Sequence, residues 1–269
     1  MTSAPRSLLF TPGLRPDRFA KAAATEADAL ILDLEDAVAE NDKVEARRNV
    51  VAFLADRSGA AQQIIVRINP LNRICGLEDL AALAGLESGP DCVLVPKVEE
   101  PAHIVTVSHV LDDAGSSARV AALIESARGV ARASEVARSD ARLSFLMFGA
   151  ADYAADLGME VGACVPDFAR ATLVNAAAAG GILAIDSPFF SIDSPEEMRI
   201  QCTQGRRLGF HGKAAIHPSQ LPAINEVYRP NDAERMRARR ILDAAPDGVG
   251  IIDGKMVDIA MVRWARRIA

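Results

Sequence analysis

The chain carries no surplus of positive charge: 36 acidic residues outweigh 30 lysines and arginines, for a net charge of −6 over 269 residues. A general nucleic-acid binder needs a basic surface, so that class is set aside, although a few local arginines still suffice for a small anionic ligand. Cysteine is scarce. Cys75, Cys92, Cys164 and Cys202 stand far apart with no C-x-x-C pair, which speaks against a zinc site or redox dithiol and for reduced, partly buried thiols in a cytoplasmic protein. No apolar run is long enough to cross a membrane, since the longest, Ala176–Ile185, is interrupted by Gly180-Gly181. The start, MTSAPRSLLF, lacks the basic segment and long apolar stretch of a signal peptide. Aromatics make up only 4% of the chain while half of it is hydrophobic. Alanine, valine, leucine and isoleucine must therefore fill the core, which suits close packing of helices on a sheet.

What is present is an alternation of short apolar runs with helical segments. Strand-like runs fall at Ser7–Phe10, Ala29–Leu32, Ile64–Ile68, Cys92–Val95, Val120–Ile124, Leu143–Phe148, Leu183–Ile185 and Gly212–Ile216. Helical segments follow them, among them Asp17–Ala24, Lys43–Ala55, Gly76–Ala84, Pro101–Leu111, Val130–Arg138 and Pro195–Leu208, the last capped by Gly209. Eight such units in a chain of this length predict a closed (β/α)8 TIM barrel over residues 1–228 rather than an open sheet. Residues 229–269 are surplus to the barrel and read as a C-terminal helical extension: a basic helix, a loop around Pro246–Gly250 and an amphipathic helix carrying Trp264. The arginines at 235, 237, 239 and 240 read as a solvated helix face.

Barrel enzymes react at the C-terminal ends of their strands. There this sequence places Asp33, Glu35, Asp36, Arg67, Asn69, Lys97, Glu125, Asp152, Asp186 and His217. Glu125 and Asp152 follow the fifth and sixth strands, and two converging carboxylates suit a hard divalent cation such as Mg²⁺, or Mn²⁺. The bland alternatives are a salt bridge from Glu125 to Arg128 and an N-cap by Asp152 for the helix starting at Tyr153. Arg67, inside the apolar run IIVRIN, needs a partner. It either pairs with Asp33 or Glu35, or grips a substrate carboxylate. Lys97 after VLVP is a position for a Schiff-base nucleophile, and His217 is either a base or a structural histidine.

Eight segments in order, RSLLFTPG, LILDLEDAV with KVEARR, VRINPLN, LVPKVE, LIESARGV, FGAADYAADLG, GKAAIHPSQ and DGKMVD, together resemble the citrate lyase beta-subunit-like family. This is the acyl-CoA lyase branch of the aldolase/citrate lyase superfamily. The resemblance implies a TIM barrel, a homotrimer, and Mg²⁺-dependent cleavage or formation of a carbon–carbon bond in a 3-hydroxyacyl-CoA thioester. By position, Glu125 and Asp152 match its metal ligands and Arg67 its substrate-binding arginine. Glu125 also lies against substrate, and Glu35 and Asp36 match its acidic loop. Asp258, with Asp253 as the competing choice, matches an acid that reaches a neighbouring subunit's site. Arg15 and Lys21 are candidates for CoA phosphates. SPFFSIDS after the seventh strand ties to no known specificity, and the length lacks the extra domain of malate synthase relatives.

The expected activity is cleavage of a substrate such as malyl-CoA, citramalyl-CoA or citryl-CoA into an acetyl thioester and a 2-oxo acid. Three alternatives stand beside it. One is a metal-dependent aldolase acting on a free 2-oxo acid without CoA. Another is a malyl-CoA-type thioesterase using the same pocket with water admitted. The last is a non-catalytic subunit of a lyase complex. No nucleic acid or membrane partner is expected.

Overall fold

Proline and glycine punctuate the chain where strand gives way to helix. Strand β1 (Ser7–Pro12) leads into helix α1 (Pro16–Ala23), whose first position is a proline that needs no hydrogen-bond partner there. Then come β2 (Ala29–Asp33), α2 (Lys43–Ala55), β3 (Gln63–Arg67), α3 (Ile74–Ala84) and β4 (Cys92–Val95). Helix α4 (Pro101–Asp113) again opens on proline. Strand β5 (Arg119–Ile124) is followed by α5 (Ala127–Val136), with the Ser126 hydroxyl accepting the Gly129 N–H as its N-cap. Strand β6 (Leu143–Phe148), α6 (Ala150–Asp156), α7 (Asp167–Gly180), β7 (Leu183–Asp186), α8 (Pro195–Leu208), β8 (Gly212–Ala215) and α9 (Leu221–Tyr228) complete the series. The computed structural model describes residues 5–56, 62–162 and 167–268; Cys164 and the end of the expected loop at Gly158–Pro166 lie outside them.

All eight strands are parallel and close into a barrel in sequence order, with β8 returning to β1 through Ser7↔Lys213, Leu8↔Ala214 and Leu9↔Ala215. The (β/α)8 expectation holds. The interior is filled by residues two apart on each strand, including Leu8, Ala29, Ile31, Ile65, Leu94, Leu123, Phe145, Met147 and Ile185. Their partners of opposite parity, such as Leu30, Ile64, Val66 and Leu146, are equally buried on the helix-facing side. A strand buried on both faces reads as a continuous apolar run, which is why the eight runs stand out in the sequence. Gly212 marks the point of closure, because a side chain there would strike the carbonyls of Pro5 and Arg6 at 2.5 Å.

The seam between β7 and β8 is short, pairing Ile185 with Gly212 and Asp186 with Lys213. Asp186 and Lys213 are both sealed from solvent and joined at 3.0 Å, and Arg170 of α7 adds a bond of 2.8 Å to the same carboxylate. Burial alone would push the Asp186 carboxyl up, but Lys213 and Arg170 together hold it below the usual range. Asp186 thus serves this seam instead of the strand-end reaction centre among whose candidates the sequence placed it.

The chain divides into two compact units, one to Glu226 and one from Val227. In the second, α10 (Asp232–Ala244) starts on a reciprocal capping box between Asn231 and Glu234. Helix α11 (Ile259–Ile268) packs with α10 around Ala238, Ile241, Val257, Val262 and Ala265. Between these helices the sequence suggested only a loop; the structure has a hairpin of β9 (Gly250–Ile252) and β10 (Lys255–Val257). Its turn is Asp253-Gly254, both with positive φ, the pair a tight two-residue hairpin demands. Two of the four arginines expected on a solvated face have partners: Arg240 binds Asp253, and Arg237 lies over the Trp264 ring at 5.5 Å. Among the described residues no helix is long and apolar enough to cross a membrane.

Candidate active site

The period of two that fills the barrel also delivers its reactive groups. Two residues beyond Ile31, Ile65 and Leu123 come Asp33, Arg67 and Glu125, which therefore face the barrel axis one layer above the apolar filling. Asp33 takes Arg67 in a two-point grip, with Nε and Nη2 each donating to the carboxylate at 2.6 Å. Glu35 lies 2.8 Å from Arg67 Nη1 and Asp36 lies 3.4 Å from it. Phe10 lies under the guanidinium at 5.0 Å. Of the two readings of Arg67 left open by the sequence, the pairing with Asp33 and Glu35 holds, and the residue also lines a cavity of about 440 Å³.

That cavity opens at the C-terminal end of the strands between Arg67, Glu125 and Asp152, against an apolar wall of Pro188, Phe190 and Ile216. Glu125 is almost fully buried and Asp152 half-buried. Neither bland alternative survives. Arg128 turns to Glu99 and Glu100, and α6 starts at Ala150 with Gly149 as its N-cap, leaving Asp152 inside the first turn. Gly149 has an ordinary φ of −104°. Its constraint is space, since a Cβ there would lie 2.4 Å from Glu125 Cβ and 2.7 Å from Glu125 Oε2. Gly149→Ala is expected to push the Glu125 carboxylate out of place. Divalent-cation affinity should fall roughly 10–100-fold with the fold retained, as measured by titration calorimetry and circular dichroism.

Lys97 sits among three carboxylates. Its ammonium hydrogen-bonds Asp152 Oδ2, lies 3.5 Å from Glu125 Oε1 and 4.0 Å from Glu35 Oε1. Its backbone N–H donates to Glu125 Oε1 at 2.8 Å. Lys97 adopts φ +52°, a left-handed conformation that costs a residue with a Cβ roughly 1–2 kcal/mol. As a Schiff-base nucleophile it is poorly placed: its carboxylate neighbours raise its pKa against the lowering by burial, whereas an amine nucleophile needs a depressed one.

Five carboxylates, Asp33, Glu35, Asp36, Glu125 and Asp152, face two cations, Arg67 and Lys97. Burial pushes Glu35 to about 7, against the pull of Arg67. Burial and the neighbouring Glu35 push Glu125 to about 8. Burial would also raise Asp152, but its hydrogen bonds to Lys97 and Glu125 hold it below the usual range. Glu35 Oε2 is buried with no aligned hydrogen bond, despite its closeness to Arg67. The site is short of positive charge, which a divalent cation would supply. Among the described residues no group of three His, Cys, Asp or Glu side chains is gathered as a metal cage. Mg²⁺ does not require one: it takes one or two carboxylates and fills its octahedron with water and substrate oxygens. Glu125 and Asp152 fit that requirement.

The remaining sequence candidates fall into place around this centre. Glu35 stands behind Arg67 and Lys97, while Asp36 lines the cavity with an exposed side chain. Asn69 ties the Leu34 carbonyl to Asp79. His217 is exposed and bonds Ser219 at the turn after β8. Arg15 stands exposed after β1, paired with Asp17, and Lys21 is exposed in the last turn of α1. Asp258 belongs to the second unit, where Oδ1 caps α11 by accepting the Met261 N–H at 3.0 Å; Asp253 is occupied in the hairpin turn by Arg240. Three contributors were missed in the sequence: Phe10, Gly149 and Lys43. Lys43 is buried and donates to the carbonyls of Leu34 and Glu35 at 2.9 and 2.6 Å, fixing the acidic loop. Strand parity alone would have found Phe10. The close approach of Gly149 to Glu125 has no signal within either strand.

Residues 6–218 match the family described as HpcH/HpaI aldolase/citrate lyase, and residues 180–269 match one described as a C–C bond lyase of the TIM-barrel fold. The chain is 35% identical to an L-malyl-CoA/beta-methylmalyl-CoA lyase of Rhodobacter capsulatus, covering 98% of this chain and 93% of that one. It is 34% identical to a (3S)-malyl-CoA thioesterase of Cereibacter sphaeroides, covering 97% and 92%. The crystal structure of the protein CitE of Mycobacterium tuberculosis, in complex with magnesium, acetoacetate and coenzyme A, superposes with a TM-score of 0.82. It is 34% identical over 99% of this chain and 97% of that chain.

Proposed function

This chain belongs to the HpcH/HpaI aldolase/citrate lyase family, and from that premise we propose that it is a Mg²⁺-dependent carbon–carbon lyase of CoA esters. Its substrate is a 3-hydroxyacyl-CoA that it cleaves to an acetyl thioester and a 2-oxo acid. The observation that carries the reading is the meeting of Glu125 and Asp152 with Arg67 around one cavity at the strand ends. The magnesium, acetoacetate and coenzyme A bound by the Mycobacterium tuberculosis relative, and the lyase activity in the name of the Rhodobacter capsulatus relative, support it.

In this reading Glu125 and Asp152 hold Mg²⁺, which when bound supplies Lewis-acid polarisation of the substrate's carboxylate and hydroxyl oxygens. Arg67 binds the oxo-acid end. Asp33 occupies its Nε and one Nη2 hydrogen and Nη1 is engaged by Asp36 and Glu35, leaving the second Nη2 hydrogen for a substrate oxygen. Asp36, which lines the cavity, takes the hydroxyl proton as the carbon–carbon bond breaks. Glu35 acts indirectly by fixing Arg67 and Lys97. The protein's fixed charges, set in a cavity with an apolar wall, stabilise the oxygen on which charge develops. Asp258, from a neighbouring subunit of a homotrimer in the cytoplasm, delivers a proton to the acetyl carbon and removes it in the synthetic direction. Residues 229–269 pack on that neighbour. Arg15 and Lys21 meet the CoA phosphates.

The test is a panel of malyl-CoA, citramalyl-CoA, citryl-CoA and a free 4-hydroxy-2-oxo acid, each with Mg²⁺ and with EDTA. Oxo acid and free thiol are followed separately. Oxo acid without free thiol, abolished by EDTA and restored by Mg²⁺, is the expected result. The thioesterase relative, as similar in sequence as the lyase, makes hydrolysis the second reading; thiol release without oxo acid would establish it. Turnover of only the free oxo acid would overturn the CoA-ester assignment.

A further inference from the structure

We infer that Lys97 is a positioning residue that sets the two metal-binding carboxylates by holding one oxygen of each. This rests on the reading of Glu125 and Asp152 as the divalent-cation ligands. The division of atoms is the evidence. Glu125 Oε1 receives the Lys97 backbone N–H at 2.8 Å and lies 3.5 Å from its ammonium. Asp152 Oδ2 receives the ammonium. Lys97 leaves one oxygen on each side chain, Glu125 Oε2 and Asp152 Oδ1, and the two carboxyls are hydrogen-bonded to each other, near enough to share a cation. The two carboxylates come from different elements, the end of β5 and the first turn of α6. Lys97 follows β4 and makes contact with both.

The backbone of Lys97 supports the same assignment. At φ +52° glycine fits without strain, and lysine does not. A strained conformation persists where the surroundings demand that particular side chain. Here that conformation points the N–H at Glu125 while the side chain reaches Asp152. Groups that fix the ligands of a metal typically change its affinity 10–100-fold when removed. Glu35, 4.0 Å from the ammonium, completes the set of acids around it.

The experiment is a Mg²⁺ titration by calorimetry, with no substrate present, of the parent, Lys97→Met, Lys97→Arg and Glu125→Gln. Water-proton relaxation of bound Mn²⁺ is measured on the same four proteins. Lys97→Met is expected to weaken Mg²⁺ about 10–100-fold, and relaxation should rise as water replaces a freed Asp152. Lys97→Arg, which keeps the charge and the backbone donor, should recover most of the affinity. Unchanged affinity in Lys97→Met would overturn the positioning role. Tighter binding would also overturn it, and would make the ammonium a competitor for the cation's place. Failure of the metal reading is separately visible: a parent that binds no Mg²⁺, or binds it as well after Glu125→Gln, removes the ligand assignment on which the inference stands. Lys97 is more than a third exposed, so Lys97→Met should fold. Should it fail to, Lys97→Gln carries the same expectation.

Discussion

Glu125→Gln is expected to lower kcat/KM roughly 10³-fold, since a bound metal contributes several kcal/mol at about 1.4 kcal/mol per tenfold. The same change should make the metal-free protein more stable at neutral and alkaline pH. Glu125 sits in an acid-rich pocket where burial and Glu35 raise it from 4.5 to about 8. Between those values the native state holds a proton that the unfolded chain has released. Stability therefore falls as pH rises through that window, and glutamine removes this dependence. Glu35, raised to about 7 for the same reason of burial, contributes with the same sign and remains in the variant. Thermal melts of metal-free parent and variant from pH 5 to 8.5 check this: the parent's Tm should decline more steeply. Adding Mg²⁺ should raise the parent's Tm and leave the variant's almost unmoved. A variant less stable than the parent at every pH would contradict the account of Glu125 as a carboxyl whose charge is opposed by burial and by Glu35.

Arg67→Met should be the most destabilising single change at the site. Asp33 is 1% exposed and Glu35 4%, and both depend on the guanidinium. Removing one partner of a buried ion pair leaves uncompensated charge and typically costs about 3–5 kcal/mol. Urea denaturation at pH 7.5 should show a lower midpoint at an unchanged slope. Lowering the pH should restore part of the loss as the orphaned carboxylates take up protons. Arg67→Lys separates structure from recognition. It keeps the charge, so most of the stability returns. It cannot reproduce the planar two-point grip on Asp33 and still present donors to substrate, so KM for the thioester should stay high. If Arg67→Lys restored full activity, the guanidinium would be structural only.

The barrel was legible in the sequence because each strand is buried on both faces and appears as an uninterrupted apolar run, while proline and glycine mark its ends. The carboxylates were legible because they follow those runs directly. The hairpin at Gly250–Val257 was not. Its strands have three residues each, and Ile251 and Met256 are exposed, so no alternation of buried and exposed positions announces it. Asp253-Gly254 was the available signal. In the sequence Lys97 reads as a strand-end amine and a candidate nucleophile. Its sign of φ and its three acidic neighbours come from three different connections around the barrel and exist only once the strands are side by side. Asp186 misled for a related reason. A residue at the end of a strand faces either the axis or the helices, and a shift of one position exchanges them. Asp186, next to the interior residue Ile185, takes the helix side.

The seam between β7 and β8 has a mechanical consequence. A closed ring of strands resists opening only as well as its narrowest join, and here that join has few backbone rungs. The chain fastens it with a charge lock, Lys213 to Asp186 to Arg170, whose central pair is sealed from solvent. Salt that loosens surface ion pairs will not slacken it. To part, the join must expose bare charge, so it has no inexpensive partial opening. The active-site groups, carried at the ends of β2 to β6, thereby keep their relative positions.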